Sequence, residues 1–321
     1  MSRMLRDRYG RPVTNLRITV THRCNYKCFY CHMEGEEGFN ELTVHEIARL
    51  VSIGKKLGID KVKLTGGEPL VRSDIVDVVK AISDVGPSDL AMTTNGSLLS
   101  GLASRLADAG LKRVNVSLPS LREHVFERIT GVNMLRHVVN GLLEAKNCGL
   151  NPIKLNMVVL RGLNDDEIWS LMDFARRHEF ILQLIELEPI GISDDFYNTY
   201  HASLDDIEKW LEDRAVKIEV RKYMHNRKQY DLGDVKVEIV KPVNNPDFCM
   251  HCTRLRVTAD GKLKPCLMRN DNLVDVLEAL RGNASDEELV KLFIKAIEAR
   301  EPYFKEGVSC RVKKGVKLRI C

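Results

Sequence analysis

Short apolar runs rich in β-branched residues alternate, over the first part of the chain, with stretches of helical periodicity. The runs predict strands at residues 16–20, 61–65, 90–94, 113–118, 153–160 and 181–187. A helical pattern follows each strand. The one over residues 43–57 opens with Thr43 and Glu46 at the spacing of a capping box, and Asn164 and Glu167 repeat that spacing. This alternation predicts βα units around a parallel sheet.

Six βα units are fewer than the eight of a closed barrel, so the pattern predicts an α/β fold with a partial (β/α)6 TIM-type barrel. An open doubly wound sheet is the alternative, and both architectures bind ligands at the carboxyl ends of their strands. We expect residues 1–195 to form the barrel and residues 196–321 to form a C-terminal extension packed on its open side. In the extension, strands are predicted at 234–240, 255–258 and 262–265, and a helix at 285–300.

Composition narrows the class of protein. Of the 321 residues, 44% are hydrophobic and 29% are charged, which is typical of a folded globular protein. The net charge of +4 does not favour a nucleic-acid partner. No apolar run is long enough to span a bilayer, and the opening MSRMLRDRYGRP has no apolar signal core. We therefore expect a cytoplasmic protein with no membrane partner.

The nine cysteines favour metal or redox chemistry over disulfides in a reducing compartment. Cys24, Cys28 and Cys31 form a C-x-x-x-C-x-x-C motif after the first predicted strand. Three thiolates in one loop suit an iron-sulfur cluster that leaves one iron open. This spacing resembles the radical S-adenosylmethionine superfamily, in which the amino and carboxylate groups of S-adenosylmethionine bind that open iron.

The sequence GGEP at residues 66–69 strengthens this resemblance, although by itself it would indicate only a turn. Glycines at the end of a strand let a ligand approach the backbone closely. The resemblance implies a [4Fe-4S] cluster on the three cysteines. It also implies that Tyr30, Gly67 and Ser117 contact S-adenosylmethionine.

A second motif, C-x2-C-x13-C, consists of Cys249, Cys252 and Cys266. Between its last two cysteines, Arg254 and Arg256 alternate along a predicted strand and so share one face, which suits an anion and a heterocycle. The segment FCMHCTRLR, with the third cysteine in DGKLKPC, resembles the GTP 3',8-cyclase family of molybdenum cofactor biosynthesis. The resemblance covers most of the chain.

This second resemblance implies a second [4Fe-4S] cluster, whose open iron holds the guanine of GTP. It implies that GTP is bound by the residues Arg17, Lys63, Thr93, Lys154, Arg254 and Arg256. Arg17 is also the candidate for a catalytic role, and Lys61 is a further phosphate candidate. From the residues alone, Lys61 and Lys63 could instead form a solvated strand face, and Thr93 could cap a helix.

The implied reaction converts GTP to 3',8-cyclo-7,8-dihydro-GTP, the first step towards molybdopterin. A 5'-deoxyadenosyl radical removes the hydrogen at C3' of GTP, and the ribose carbon then bonds to C8 of guanine. The implied partners are an electron donor such as ferredoxin or flavodoxin, a downstream cyclic pyranopterin monophosphate synthase and, for a homodimer, a second copy of the chain.

The chain departs from the family pattern in two places. It ends in GVKLRIC without the Gly-Gly tail of the family, and Gln183 and Glu188 stand where the bacterial pattern has Arg and Met. Cys148 is interpreted as a packing residue. A disulfide between Cys310 and Cys321 stays open at this point.

Two other functions fit the same motifs. One is a different radical enzyme with an auxiliary cluster, acting on a peptide or a carbon ring. The other is a nucleotide-binding regulator without catalysis, in which Cys28, Cys31, Cys249 and Cys252 hold one zinc ion. Colourless protein loaded with zinc would favour the regulator.

Overall fold

Strands from both parts of the chain join one sheet in the computed structural model, which describes residues 5–32 and 40–305. The strands are β1 (Asn15–Thr19), β2 (Lys61–Thr65), β3 (Asp89–Thr94), β4 (Arg113–Ser117), β5 (Lys154–Val159), β6 (Ile181–Glu186), β7 (Lys217–Arg221), β8 (Arg227–Asp231), β9 (Lys236–Val240), β10 (Arg254–Val257), β11 (Lys262–Lys264) and β12 (Val274–Asp275). The helices are α1 (Val44–Lys56), α2 (Ile75–Val85), α3 (Ala103–Asp108), α4 (Glu123–Thr130), α5 (Leu135–Asn147), α6 (Ile168–His178), α7 (Asp194–Tyr200), α8 (Asp205–Arg214), α9 (Pro246–Met250), α10 (Leu277–Arg281) and α11 (Asp286–Glu298).

The order of the strands in the twelve-stranded sheet is β12-β11-β10-β1-β2-β3-β4-β5-β6-β9-β8-β7. Strands β1 to β6 are parallel neighbours in chain order, as repeated βα units require. The predicted α/β fold with a partial (β/α)6 TIM-type barrel and a C-terminal extension is confirmed. The boundary at residue 195 stays a prediction.

The C-terminal extension continues the sheet at both of its ends, which the sequence did not predict. Strand β10 pairs in parallel with β1, and β9 pairs in parallel with β6. Without these partners, β1 and β6 would be edge strands with unpaired backbone groups. The extension therefore completes both edges of the barrel besides packing beside it.

The barrel strands alternate apolar and polar residues because their two faces meet different surroundings. Leu16 and Ile18 of β1, and Val62 and Leu64 of β2, point to the helical layer and are fully buried. The residues between them, such as Arg17, point to the inside of the barrel. The inner face is thus polar, which positions charged side chains at one cavity.

The two predicted capping boxes have different outcomes. Thr43 and Glu46 form the predicted box at the start of α1. The second prediction is wrong, because the Asn164 side chain does not cap a helix. Its Oδ1 accepts from Leu160 N at 2.7 Å, and its amide donates to backbone carbonyls instead. Glu167 binds the loop after β4, accepting from Ser120 Oγ at 2.6 Å.

Two remaining features can be located briefly. Cys148 ends α5 and packs, partly buried, against the main core, as predicted. Cys310, Cys321 and the GVKLRIC tail lie outside the described residues. Within residues 5–32 and 40–305, no helix combines the length and the apolar character that a membrane span requires.

Candidate active site

A cavity of about 330 Å³ occupies the inner side of the barrel. Strands β1 to β6 form one part of its wall, and the C-terminal extension forms the rest. All the predicted GTP-binding residues line it, namely Arg17, Lys63, Thr93, Lys154, Arg254 and Arg256. Tyr30, Cys31, Cys249, Cys252 and Cys266 line it too. Members of both cysteine motifs therefore line one cavity.

Other predicted site residues lie outside this lining. Cys24 and Cys28 precede Cys31 in the loop after β1. Gly67 follows β2, and Ser117 ends β4. Lys61 is exposed at the start of β2, opposite the strand end where ligands bind. The interpretation of Lys61 as a solvated residue therefore fits its position better than phosphate binding does.

The first cysteine loop rests on the GGEP turn. Gly67 N donates to the Thr21 carbonyl at 2.8 Å, and Glu68 N donates to the Arg23 carbonyl at 2.8 Å. A β-carbon on Gly67 would lie 2.4 Å from the Arg23 carbonyl oxygen, and one on Gly66 would lie 2.8 Å from that of Thr21. The two glycines are thus required by close contact with the backbone of the cysteine loop.

Glu68 fixes the GGEP turn from within. Its carboxylate accepts from Thr94 Oγ1 at 2.6 Å and from the backbone N–H groups of Asn95 at 2.6 Å and Leu70 at 3.0 Å. Burial raises the pKa of Glu68 to about 7 although these hydrogen bonds oppose the shift. The turn after β2 is therefore tied to the end of β3.

The first cysteine motif has the donor set that an iron-sulfur cluster requires. The pKa of Cys28 is raised to about 12. Burial is the main cause, and the neighbouring thiols of Cys31 and Cys24 add to the shift. The three thiols are thus close enough to repel one another as thiolates. Positive charge from iron would stabilise them in that form, so the residues fit a cluster.

The second cysteine motif is held by a buried ionic group. Arg11 donates to Asp7 Oδ2 at 2.8 Å and to the Cys249 carbonyl at 2.9 Å. Arg300 donates to the Cys252 carbonyl at 2.5 Å and lies 3.1 Å from Asp7 Oδ2. The side chains of Asp7 and Arg300 are fully buried. We call Asp7, Arg11 and Arg300 the cysteine clamp.

The clamp also changes the electrostatics at the second motif. Burial opposes the thiolate of Cys252, but Arg300, Arg254 and Arg11 outweigh it and lower the pKa of this thiol. Burial raises the pKa of Cys249 to about 11, and Cys266 and Cys252 add to that shift. The second trio therefore joins close thiols to nearby cations, which also fits a cluster.

A row of cations crosses the cavity wall where β10, β1 and β2 pair. Arg17 is in register with Arg256 on one side and with Lys63 on the other. Lys63 Nζ donates to Asn115 Oδ1 at 2.9 Å. Burial lowers the pKa of Lys63 well below its usual range, and the cations Arg113, Arg17, Arg254 and Lys154 lower it further. An anion in the cavity would relieve this repulsion.

The opposite wall balances its charge internally. Glu238 on β9 is fully buried, pairs with Lys154, and accepts from Arg221 at 2.6 Å. Arg227 on β8 lies 3.8 Å from the second carboxylate oxygen of Glu238. It also donates to Gln183 Oε1 at 2.9 Å. Arg227 therefore brings a guanidinium to the place where Gln183 departs from the family pattern, and both residues line the cavity.

Sequence reasoning missed several residues that line the cavity, namely Arg11, Arg113, Asn115, His225, Arg227 and Tyr303. Arg113 and Asn115 had a signal, because they alternate with apolar residues on β4 as Arg17 does on β1. Arg11, His225 and Tyr303 come from segments without regular periodicity, where no pattern indicates a direction.

The zinc alternative requires Cys28, Cys31, Cys249 and Cys252 to gather around one ion. Across the two described ranges, no three His, Cys, Asp or Glu side chains gather as ligands of a single ion. One zinc ion would need its sulfur ligands about 2.3 Å away. The cysteines of a cluster bind separate irons and stand farther apart.

Two family models match the chain. The model described as the Radical SAM superfamily matches residues 18–175, and the one described as Molybdenum Cofactor Synthesis C matches residues 180–306. A protein named "Probable GTP 3',8-cyclase" from Thermococcus kodakarensis is 54% identical over 310 residues, which cover 94% of this chain and 100% of that protein. A relative of the same name from Methanocaldococcus jannaschii is 42% identical over 303 residues, which cover 94% of this chain and 99% of that protein.

Solved structures share the fold at low sequence identity. Streptococcus suis SuiB bound to S-adenosylmethionine has a TM-score of 0.65 and 18% identity, over 85% of this chain and 66% of SuiB. This chain thus spans slightly less than two thirds of SuiB. The tagged anSMEcpe with bound AdoMet has a TM-score of 0.60 and 15% identity, over 87% of this chain and 82% of that one. These likenesses support the barrel fold.

Proposed function

The chain belongs to the GTP 3',8-cyclase family of radical S-adenosylmethionine enzymes, and from this premise we propose that it converts GTP to 3',8-cyclo-7,8-dihydro-GTP, the first step of molybdenum cofactor biosynthesis. The observation that carries the proposal is the single cavity described above. Residues of both cysteine motifs line this cavity, and a row of cations on strands β10, β1 and β2 lines it too. Thiols suited to a metal cluster and cations suited to a triphosphate therefore line the same cavity.

Membership of the radical SAM superfamily brings S-adenosylmethionine and an iron-sulfur cluster to the first motif. We assign Cys24, Cys28 and Cys31 as its ligands. When bound, S-adenosylmethionine and the cluster together supply a 5'-deoxyadenosyl radical that removes a hydrogen atom from the substrate. For the cofactor contacts we propose Tyr30, which lines the cavity, with Gly67 and Ser117.

The second cluster is a proposal that rests on the second motif. Cys249, Cys252 and Cys266 would hold it, and the cysteine clamp would fix the backbone of the first two. In this arrangement the guanine of GTP lies at the end of the cavity formed by these cysteines. The chain's own contribution is to fix the base in one orientation. In an enzyme whose cofactor supplies the reactive group, such positioning is a large part of the rate enhancement that the protein provides.

The triphosphate is assigned to the cations of the cavity. Arg17, Lys63, Lys154, Arg254 and Arg256 all have buried or half-buried side chains there. Their mutual repulsion favours a strongly anionic ligand, because each phosphate lowers the energy of several cations together. Thr93 would add a hydroxyl donor. Arg17 stays the candidate for a direct catalytic role because it is central in the row.

The departure at Gln183 is compatible with this assignment. Arg227 provides a cation beside Gln183, so the loss of an arginine from β6 does not leave this wall without positive charge. The electron donor, the downstream synthase, the homodimer, the cytoplasmic location and the boundary between residues 195 and 196 stay predictions of the same proposal.

The direct test is anaerobic turnover with GTP deuterated at C3', S-adenosylmethionine and a reductant. Mass spectrometry of the 5'-deoxyadenosine is expected to find deuterium, because the proposed abstraction site is that carbon. Unlabelled 5'-deoxyadenosine, formed equally without GTP, would contradict the assigned substrate. It would favour the alternative of a radical enzyme that acts on a peptide or a carbon ring.

A matched pair of cysteine variants tests the second cluster. Cys266→Ser is expected to abolish GTP turnover while S-adenosylmethionine is still cleaved slowly without GTP, since the first motif is intact. Cys148→Ser, in the packing position at the end of α5, is the control and is expected to keep both activities. Full GTP turnover by Cys266→Ser would refute the role of the second motif.

A further inference from the structure

His225 presents a buried nitrogen to the cavity without a protein partner. His225 is 6% exposed and lines the cavity, and its Nε2 has no hydrogen-bond partner in the protein. Its backbone lies in the left-handed region at φ 64°, which is uncommon outside glycine. Leaving a buried polar atom unpaired costs on the order of 1–3 kcal/mol, so such atoms call for an explanation by function.

The other ring nitrogen determines the chemistry of Nε2. Nδ1 lies 3.0 Å from the Phe248 carbonyl oxygen, which can only accept a hydrogen bond. Nδ1 must therefore carry the proton and donate, and in a neutral ring Nε2 is then a bare acceptor. Burial lowers the pKa of His225 well below its usual range, and Arg254 and Arg227 lower it further, so the ring is neutral.

The ring is also held rigidly at the end of the cavity where the second cysteine motif lies. It stacks on Phe248 with the ring centroids 3.9 Å apart and an interplanar angle of 21°. Phe248 directly precedes Cys249, and His225 N donates to the His251 carbonyl at 3.2 Å within the same motif. The acceptor Nε2 is thus fixed relative to the place that the proposed function assigns to the base.

From these observations we propose that His225 Nε2 accepts a hydrogen bond from the exocyclic 2-amino group of guanine and selects GTP over nucleotides that lack this group. The inference rests on the proposed function, because that function puts the guanine at the second motif. The cations of the cavity are all donors and match the phosphates. A rigid acceptor matches the part of GTP that carries N–H groups.

The test compares the binding of GTP and inosine triphosphate, which lacks the 2-amino group, to the reconstituted enzyme by anaerobic equilibrium dialysis. Because one hydrogen bond contributes about 0.5–1.5 kcal/mol, we expect His225→Phe to weaken GTP binding about 2- to 13-fold. Inosine triphosphate should bind equally to both proteins. The ratio of the two dissociation constants, which general structural damage would not change, should collapse towards one.

Two further variants keep the result interpretable. His225→Asn suits the left-handed backbone, and its shorter side chain does not reach the position of Nε2, so it should also lose selectivity. His178→Phe is the control. His178, the last residue of α6, stacks on Phe180 with the ring centroids 5.6 Å apart, and it does not line the cavity. It should keep the wild-type ratio.

Three results would overturn the inference, and they are distinguishable from one another. An unchanged ratio in both His225 variants would remove His225 from recognition of the 2-amino group while leaving the proposed function intact. If the variants instead lost discrimination against 2'-deoxy-GTP, the donor would be the ribose hydroxyl and not guanine. If the wild-type enzyme bound neither GTP nor inosine triphosphate, the proposed function itself would fail.

Discussion

Replacing Glu238 by glutamine removes the carboxylate that pairs with Lys154, Arg221 and Arg227 beside one cavity wall. The carboxylate is fully buried and pairs with Lys154, whose side chain is 4% exposed, and with Arg221, whose side chain is 26% exposed. Arg227 is 3.8 Å away and is 6% exposed. In Glu238→Gln, Arg227 would keep its charge in a buried place without this counterion. The pKa of Lys154, which burial lowers to about 8 even beside Glu238, would fall further.

Breaking a buried ion pair by removing one partner typically costs about 3–5 kcal/mol. The partly exposed Arg221 recovers some solvation, so we expect a loss of about 3 kcal/mol in the free energy of unfolding. For a chain of 321 residues that loss corresponds to a fall in Tm of about 4–5 °C. Differential scanning calorimetry or denaturant unfolding of the reconstituted protein measures it.

Glu212→Gln is the matched control. Glu212 also pairs with a lysine, Lys228, at 2.6 Å, but the two side chains are 40% and 43% exposed. Such a surface pair contributes at most about 1 kcal/mol. If the two variants had the same Tm, the assignment of Glu238 as the counterion of the buried wall would be refuted.

The pH and ligand dependence follow from the same geometry. Burial opposes ionisation of Glu238, but Lys154, Arg227 and Arg221 outweigh it and lower its pKa to about 2. The folded pKa is below the unfolded value of about 4.3, so the stabilisation is present above that value and is lost as the pH falls towards 2. The difference between wild type and Glu238→Gln should shrink over this window. Saturating GTP should also reduce it, since the triphosphate supplies negative charge to Lys154 and Arg227.

Three other substitutions test separate parts of the site. Gly67→Ala puts a β-carbon 2.4 Å from the Arg23 carbonyl oxygen, so we expect displacement of the first cysteine loop. Iron and sulfide analysis should then find roughly half of the bound iron lost. Iron content equal to wild type would contradict this. Arg300→Gln removes the guanidinium donor to Cys252 O, and we expect loss of the EPR signal of the proposed second cluster, with slow GTP-independent cleavage of S-adenosylmethionine retained. An unchanged signal and reduction potential would exclude the clamp from a positioning role. Lys63→Met relieves a buried cation, so Tm should stay or rise while GTP binds about 10- to 100-fold more weakly by equilibrium dialysis; a lower Tm with unchanged affinity would refute the reasoning.

Periodicity was sufficient to predict the barrel strands because each strand meets a helix layer on one face and a polar cavity on the other. That contrast gives the alternation seen at Leu16, Arg17 and Ile18, and it also places Arg17 inside the barrel. The exposed strand β7 has no buried face, and β12 has only two residues. Neither strand leaves a pattern in the sequence, and both were missed.

The contacts that hold the second motif could not be predicted from the sequence because they join distant segments. Arg300 donates to the Arg11 carbonyl across 289 residues of chain. Arg11 reaches the Cys249 carbonyl and Arg300 reaches the Cys252 carbonyl only after folding. A similar limit applies at Gln183. The sequence indicated an absent arginine there, but the nearby Arg227 comes from a strand 44 residues later.

The two walls of the cavity manage positive charge in different ways, and the difference indicates where ligand binding is coupled to stability. On one wall Glu238 neutralises Lys154 and Arg227 within the protein. On the other, burial and neighbouring cations lower the pKa of Lys63, and its Nζ donates to the neutral side chain of Asn115. A triphosphate therefore stabilises the second wall more than the first. Glu238→Gln makes the two walls alike, so GTP should stabilise that variant more than it stabilises the wild type.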